Sequence, residues 1–218
     1  MVHQLKIFTA VLLLFLAASC SSGPTGPQID LSNTVIVAFG NSITAGVGDT
    51  ARPPGYPYRL EQMLRASFPN VIVLNRGVSG ERTEQGVRRI DRVLTYDQPD
   101  YVLILEGVNN IGEDLLETVA ADLEVMVQKV KASGAIPLIA SLTPTAGEHV
   151  GKMEGINGLN PLIRDIAARE QIVFVDLYTA FFSRPDYSLL LNDDGLHPNN
   201  GGYTLMADTW HAGLLGKL

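Results

Sequence analysis

The amino-acid sequence predicts an α/β domain of three layers, α/β/α, around a five-stranded parallel sheet. Three observations predict it. Short apolar, β-branched runs alternate along the chain with longer stretches of helical periodicity. The strand-like runs are near-continuously apolar, as strands buried on both faces are. Charged residues make up 18% and hydrophobic residues 46% of 218, so the chain is globular and long enough to bury one sizeable core. Strands that alternate with helices make right-handed crossovers, and these cover both faces of a parallel sheet.

The N-terminus reads separately. Lys6 precedes the apolar run 7–16, which leads into Ala17-Ala18-Ser19-Cys20. That order fits a secretory signal peptide, and the run is short for a membrane span. A cysteine directly after small residues resembles a bacterial lipoprotein signal, in which Cys20 becomes the acylated first residue. Ala17 departs from the aliphatic residue commoner there. The expected organisation is a lipoprotein-type signal peptide at 1–19, the acylated Cys20 with a Ser-, Gly- and Pro-rich tether at 20–32, and one domain at 33–218. The expected location is the bacterial cell envelope, lipid-anchored, with the periplasm or secretion as the alternative. Cys20 is the only cysteine, so no intrachain disulfide can form. The formal charge of −7 argues against a nucleic-acid partner. Contact with a membrane is expected only through the lipid anchor. Nothing in the sequence speaks to oligomeric state.

Within the domain, residues 34–39 predict the first strand, which Gly40 and Asn41 break. A Pro- and Gly-rich loop follows to about residue 58. Residues 58–68 predict a helix, with Leu60, Met63, Leu64 and Phe68 at helical spacing. The second strand is 71–74. A helix over 83–94 carries Val87, Ile90, Val93 and Leu94 on one face. Residues 100–105 predict the third strand and 115–133 a long helix, which Gly134 would cap. The fourth strand is 136–140. Residues 143–158 read as a loop and 159–170 as a helix with Pro161 near its start. The fifth strand is 172–175, residues 181–195 read as irregular, and 203–215 predict the last helix. A flavodoxin-like strand order, 2-1-3-4-5, sets the ends of strands one and three side by side.

Ser42 stands where the first strand ends, the edge at which open α/β sheets bind ligands. It reads as either a helix cap or a nucleophile. A serine nucleophile needs a base, and the chain has four histidines. His3 falls in the signal peptide. His211, in the last helix, reads as a surface or packing residue. His149 reads as a solvated or pocket-lining loop residue. His197 stands in Asn192-Asp193-Asp194-Gly195-Leu196-His197-Pro198, a stiff turn. Asp194, three residues earlier, is placed to accept its Nδ1 proton, and Asp193 competes for that role. An acyl transfer also needs donors for a developing oxyanion. The backbone N–H of Gly80, the side-chain amide of Asn109 and the N–H of Ser42 are candidates. Ser42, Gly80, Asn109 and His197 would all converge on one sheet edge. Other chemistries lack support: there is no Gly-x-Ser-x-Gly and no zinc motif. Residues 46–51 match a dinucleotide fingerprint formally, but Pro53, Pro54 and Gly55 prevent the helix it needs.

These blocks resemble those of the SGNH hydrolases, the GDSL esterase/lipase family. Phe39-Gly40-Asn41-Ser42-Ile43-Thr44, Asn75-Arg76-Gly77-Val78-Ser79-Gly80, Gly107-Val108-Asn109-Asn110 and Asp194-Gly195-Leu196-His197-Pro198 occur in the family's order. The layout is especially similar to the small bacterial lysophospholipase, thioesterase and arylesterase branch and to acetylesterase-like relatives. The resemblance implies an SGNH hydrolase fold and a Ser42–His197–Asp194 triad. It also implies an oxyanion hole of Ser42, Gly80 and Asn109, with neither metal nor cofactor. The implied activity is hydrolysis of carboxylic esters with small to medium acyl chains. A carbohydrate O-acetylesterase and a non-catalytic surface lipoprotein are the alternatives. Tyr56, Tyr58 and the 143–158 loop, with Thr143 and Pro144, are expected to form an acyl slot or a sugar platform. Two positions depart from the family: Asn41 and Asn110 each stand where Asp is usual.

Overall fold

The computed structural model describes residues 31–216. Its centre is β1 (Val35–Gly40), whose β-branched and aromatic residues are buried from Ile36 onwards. A strand covered on both faces has no solvent side, so it needs no alternation. Around it lie β2 (Ile72–Gly77), β3 (Tyr101–Leu105), β4 (Ile136–Ala140) and β5 (Val173–Val175). All pairings are parallel, in the order β2-β1-β3-β4-β5 that the sequence predicts. The register sets Gly40 beside Gly77 on one side and Leu105 on the other. The C-terminal ends of β1, β2 and β3 therefore finish level.

The helices are α1 (Ser42–Ala45), α2 (Tyr56–Arg65), α3 (Thr83–Asp97), α4 (Leu116–Ala132), α5 (Met153–Glu170), α6 (Leu177–Phe182) and α7 (Asn200–Leu214). α4 packs between α3 and α5 in one layer, and α2 packs on α7 in the other. Tyr56 stacks on Trp210 between α2 and α7, with ring centroids 6.0 Å apart. Val119, Leu123, Met126, Val127 and Val130 of α4 fill the opposite core.

Several predicted boundaries move, each for a local reason. α5 begins at Met153, inside the predicted 143–158 loop, after a 3₁₀ segment at Gly147–Lys152. The loop reading came from glycines, yet Gly155 and Gly158 serve close packing. A Cβ on either would stand 2.6 Å from the side chain of Ile111 or Leu116. Pro161 consequently lies inside α5 rather than at its start. The predicted irregular stretch contains the end of α6, capped by Asp176 through Thr179 N–H at 3.0 Å, and a 3₁₀ segment at Tyr187–Leu190. α7 starts at Asn200, because the Asn199 side chain accepts the Gly201 and Gly202 N–H groups at 3.0 and 3.2 Å. Leu31 is fully buried, so the domain reaches back past the predicted boundary at 33. The signal peptide and Cys20 lie outside the described residues.

Leu103 lies in β3, fully buried between β1 and β4. Leu103→Ala should cost about 2–5 kcal/mol, the range for a large-to-small change in a packed core. Urea unfolding followed by circular dichroism measures it.

Candidate active site

The site begins with the turn at the end of β1. Asn41, not Ser42, caps α1: its Oδ1 accepts the Ile43 N–H at 3.0 Å. Ser42 is the first helical residue, and its hydroxyl is left for another partner. Asn75 holds the same turn from β2, donating to the Thr44 carbonyl at 2.9 Å. Gly40 has no room for a side chain, since a Cβ would run into Thr44 and the Leu105 carbonyl.

The partner of Ser42 arrives 155 residues later. His197 Nε2 lies 2.9 Å from Ser42 Oγ, and His197 Nδ1 lies 2.6 Å from Asp194 Oδ2. A carboxylate at Nδ1 fixes the proton there, so Nε2 is the acceptor for the serine hydroxyl. Asp194 Oδ1 accepts the Leu196 and His197 N–H groups at 2.9 and 3.0 Å. Partial burial pushes the Asp194 carboxyl up. The His197 hydrogen bond and the two backbone donors outweigh that and hold it below the usual aspartate range. Asp193 is exposed, so the choice between the two acids falls to Asp194. Asn192 keeps the turn closed, its amide donating to the Pro198 carbonyl at 2.8 Å. Gly195 has φ +69° and sits against the Ala146 carbonyl, where no side chain fits.

Three donors stand at the level strand ends. The Gly80 N–H finds no acceptor among the described residues, and Gly80 is exposed with φ +77°. No atom would meet a Cβ there, so the backbone conformation favours glycine and the space beside it is open. Asn109 gives one amide hydrogen to the Glu81 carbonyl at 2.8 Å and keeps the other. The Ser42 N–H likewise has no acceptor among the described residues. Together these groups can hold an oxyanion while Ser42 attacks a carbonyl.

The expected substrate residues fare differently. Tyr56, Thr143 and Pro144 are buried. Tyr56 belongs to the core on Trp210, its hydroxyl 3.3 Å from Thr44 Oγ1. Tyr58 is the exposed one of the four. Two residues the sequence reading passed over, Val47 and Val78, are exposed just after α1 and β2, and Val78 N–H donates to the Gly40 carbonyl at 2.8 Å. His149 is half-buried and not free: its Nδ1 lies 2.7 Å from the Asp194 carbonyl, which ties the 3₁₀ segment to the histidine turn. Asn110 accepts the Thr83 N–H at 3.1 Å and donates to Asp114 at 2.7 Å, a double role an ionised aspartate cannot fill. The buried Glu81 and Glu106, with the half-buried Arg89, form a cluster behind the turn that the sequence reading also missed.

Residues 38–205 match the GDSL-like Lipase/Acylhydrolase family. The chain belongs to that family. It is 25% identical over 167 residues to an arylesterase of Vibrio mimicus, covering 75% of this chain and 79% of the relative. It is 25% identical over 185 residues to thioesterase 1/protease 1/lysophospholipase L1 of Escherichia coli K12, covering 84% of each chain. The crystal structure of a lipase/acylhydrolase from Enterococcus faecalis superposes with a TM-score of 0.74 at 26% identity, over 85% of this chain and 97% of that one. Like its GDSL relatives, this chain is a hydrolase acting on ester bonds.

The lowered Asp194 carboxyl carries a stability consequence in this GDSL hydrolase. A depressed folded pKa contributes stability above the ordinary value of 3.8 and loses it as pH falls through the lower folded value. The difference in urea midpoint between wild type and Asp194→Asn should therefore be full at neutral pH and shrink below about pH 4.

Proposed function

We propose that this hydrolase is a serine esterase acting on carboxylic esters of small to medium acyl chains through an acyl-enzyme. The observation that carries the reading is the unbroken relay from Asp194 through His197 to Ser42, facing donors with unused hydrogens. His197 takes the Ser42 proton as Oγ attacks the ester carbonyl. The N–H groups of Ser42 and Gly80 and the Asn109 amide stabilise the oxyanion. His197 then protonates the leaving alcohol. A water molecule gives its proton to His197 and releases the acid by the reverse route. Asp194 keeps the tautomer and stabilises the imidazolium as it forms. Exposed Val47 and Val78 offer apolar flanks for a short acyl group or an aryl alcohol.

Ser42→Ala should lower kcat on p-nitrophenyl esters by about 10³-fold or more. A rate left intact removes the serine mechanism. The same assay, run from acetate to long-chain esters and against acetylated xylo-oligosaccharides, reads the substrate class. Faster release from the sugars would favour the carbohydrate O-acetylesterase reading.

We also propose a lipid anchor at Cys20, supported by the charged, apolar and small-residue order before it. Expression with labelled palmitate should mark the wild-type chain and leave Cys20→Ala unmarked.

A further inference from the structure

Behind the Ser42 turn lie two buried carboxyls. Glu106, directly after β3, is 1% exposed, and Glu81, directly after Gly80, is 5% exposed. Arg89 of α3 pairs with one acid, Glu81, with Nε 2.7 Å from Oε1 and a second contact from Nη2 to Oε2, while it also donates to the Arg76 carbonyl at 3.0 Å and lies over the Phe39 ring. Glu106 has no cationic partner among the described residues. Its Oε2 accepts the Asn41 amide at 3.2 Å and the Gly107 N–H at 3.3 Å. Its Oε1 is fully buried and receives no donor. An ionised Glu106 would leave that oxygen unpaired beside a second carboxylate. A proton on Oε1, donated to Glu81, removes both faults. Burial, and next the charge of Glu81, push the Glu106 carboxyl well above the usual range.

This pair reaches the support of every oxyanion donor. Glu106 orients the Asn41 amide, and Asn41 in turn caps the helix whose first residue is Ser42. The Glu81 carbonyl fixes the Asn109 amide, and Glu81 is the residue next to Gly80. We propose that Glu106, as a neutral acid hydrogen-bonded to Glu81, is a positioning residue that holds the donors of Ser42, Gly80 and Asn109 in one arrangement through Asn41 and Glu81. Asn41 is the residue this arrangement demands. It offers Glu106 a donor and Ile43 an acceptor, whereas an aspartate would set a third carboxyl against the pair. The inference rests on the serine esterase reading above.

The test uses the purified protein and kinetics on a p-nitrophenyl ester, with thermal unfolding as the control for folding. Glu106→Gln reproduces the neutral acid, donating to Glu81 and accepting from Asn41, and should keep kcat within about 3-fold of wild type. Glu106→Leu should lower kcat about 100-fold, the scale of a lost oxyanion contact, with KM nearly unchanged. Asn41→Ala should do the same, and the double variant should be no worse than the weaker single, as for residues acting in one chain of contacts. If Glu106→Leu does not fold, Asn41→Ala beside Glu106→Gln carries the same comparison. The proposal is overturned if Glu106→Gln is as damaged as Glu106→Leu, if the two losses multiply, or if kcat is untouched. Ser42→Ala keeps the two readings apart. An active Ser42→Ala refutes the esterase mechanism, while an inactive one beside a fully active Glu106→Leu refutes only the positioning role.

Discussion

The register of β1 between β2 and β3 is the constraint from which the site follows. Gly40, Gly77 and Leu105 end level, so the three segments that leave the sheet start from one line. Ser42 lies two residues beyond Gly40, Gly80 three beyond Gly77, and Asn109 four beyond Leu105. A slip by one residue in a parallel pair would turn every side chain to the opposite face and destroy the core with the site. Core packing and site geometry are thus fixed by the same hydrogen-bond ladder. The histidine turn is then docked onto this line from the far end of the chain. Asn192 bonds the Gly48 carbonyl at 3.3 Å, Tyr203 bonds the Val47 carbonyl at 2.7 Å, and His149 bonds the Asp194 carbonyl.

Two acids in this site are driven in opposite directions by their surroundings. Asp194 is partly exposed and collects three donors, so it stays ionised and can orient an imidazole. Glu106 is buried beside another carboxyl without a cation of its own, and it holds its proton. The chemical group is the same and the charge differs, because burial without donors penalises the anion while a ring of donors rewards it.

The strand order and the positions of Ser42, Gly80, Asn109, Asp194 and His197 were legible because their signals are local. A buried parallel strand is a continuous apolar run, and the breakers after it are turn residues. What could not be read depended on a partner distant in the chain. Gly155 and Gly158 look like loop residues until Ile111 and Leu116 are set against them. Tyr56 looks like a pocket residue until Trp210 covers it, 154 positions later. Glu106 looks like the polar end of a strand, and only the fold brings Glu81 and Asn41 to it. The two readings of Ser42, cap or nucleophile, part in the same way, since a Gly-Asn-Ser turn offers two side chains suited to capping and the backbone gives that task to Asn41.

The departures from the family at Asn41 and Asn110 make sense on the same electrostatic ground. An oxyanion is stabilised by nearby donors and destabilised by nearby negative charge. This edge of the sheet is rich in acids: Glu81, Glu84, Glu106, Glu113 and Asp114 all lie close to the donor segments. Arg89 pairs with Glu81, Arg82 with Glu113 and Asp114, and Glu106 is neutral. Two further aspartates, at 41 and 110, would add negative charge, one against Glu106 and one against Asp114. Asparagine keeps each acceptor, for the Ile43 and Thr83 N–H groups, and turns the second oxygen into a donor toward those acids. A chain with a formal charge of −7 can in this way keep its oxyanion donors in surroundings close to neutral.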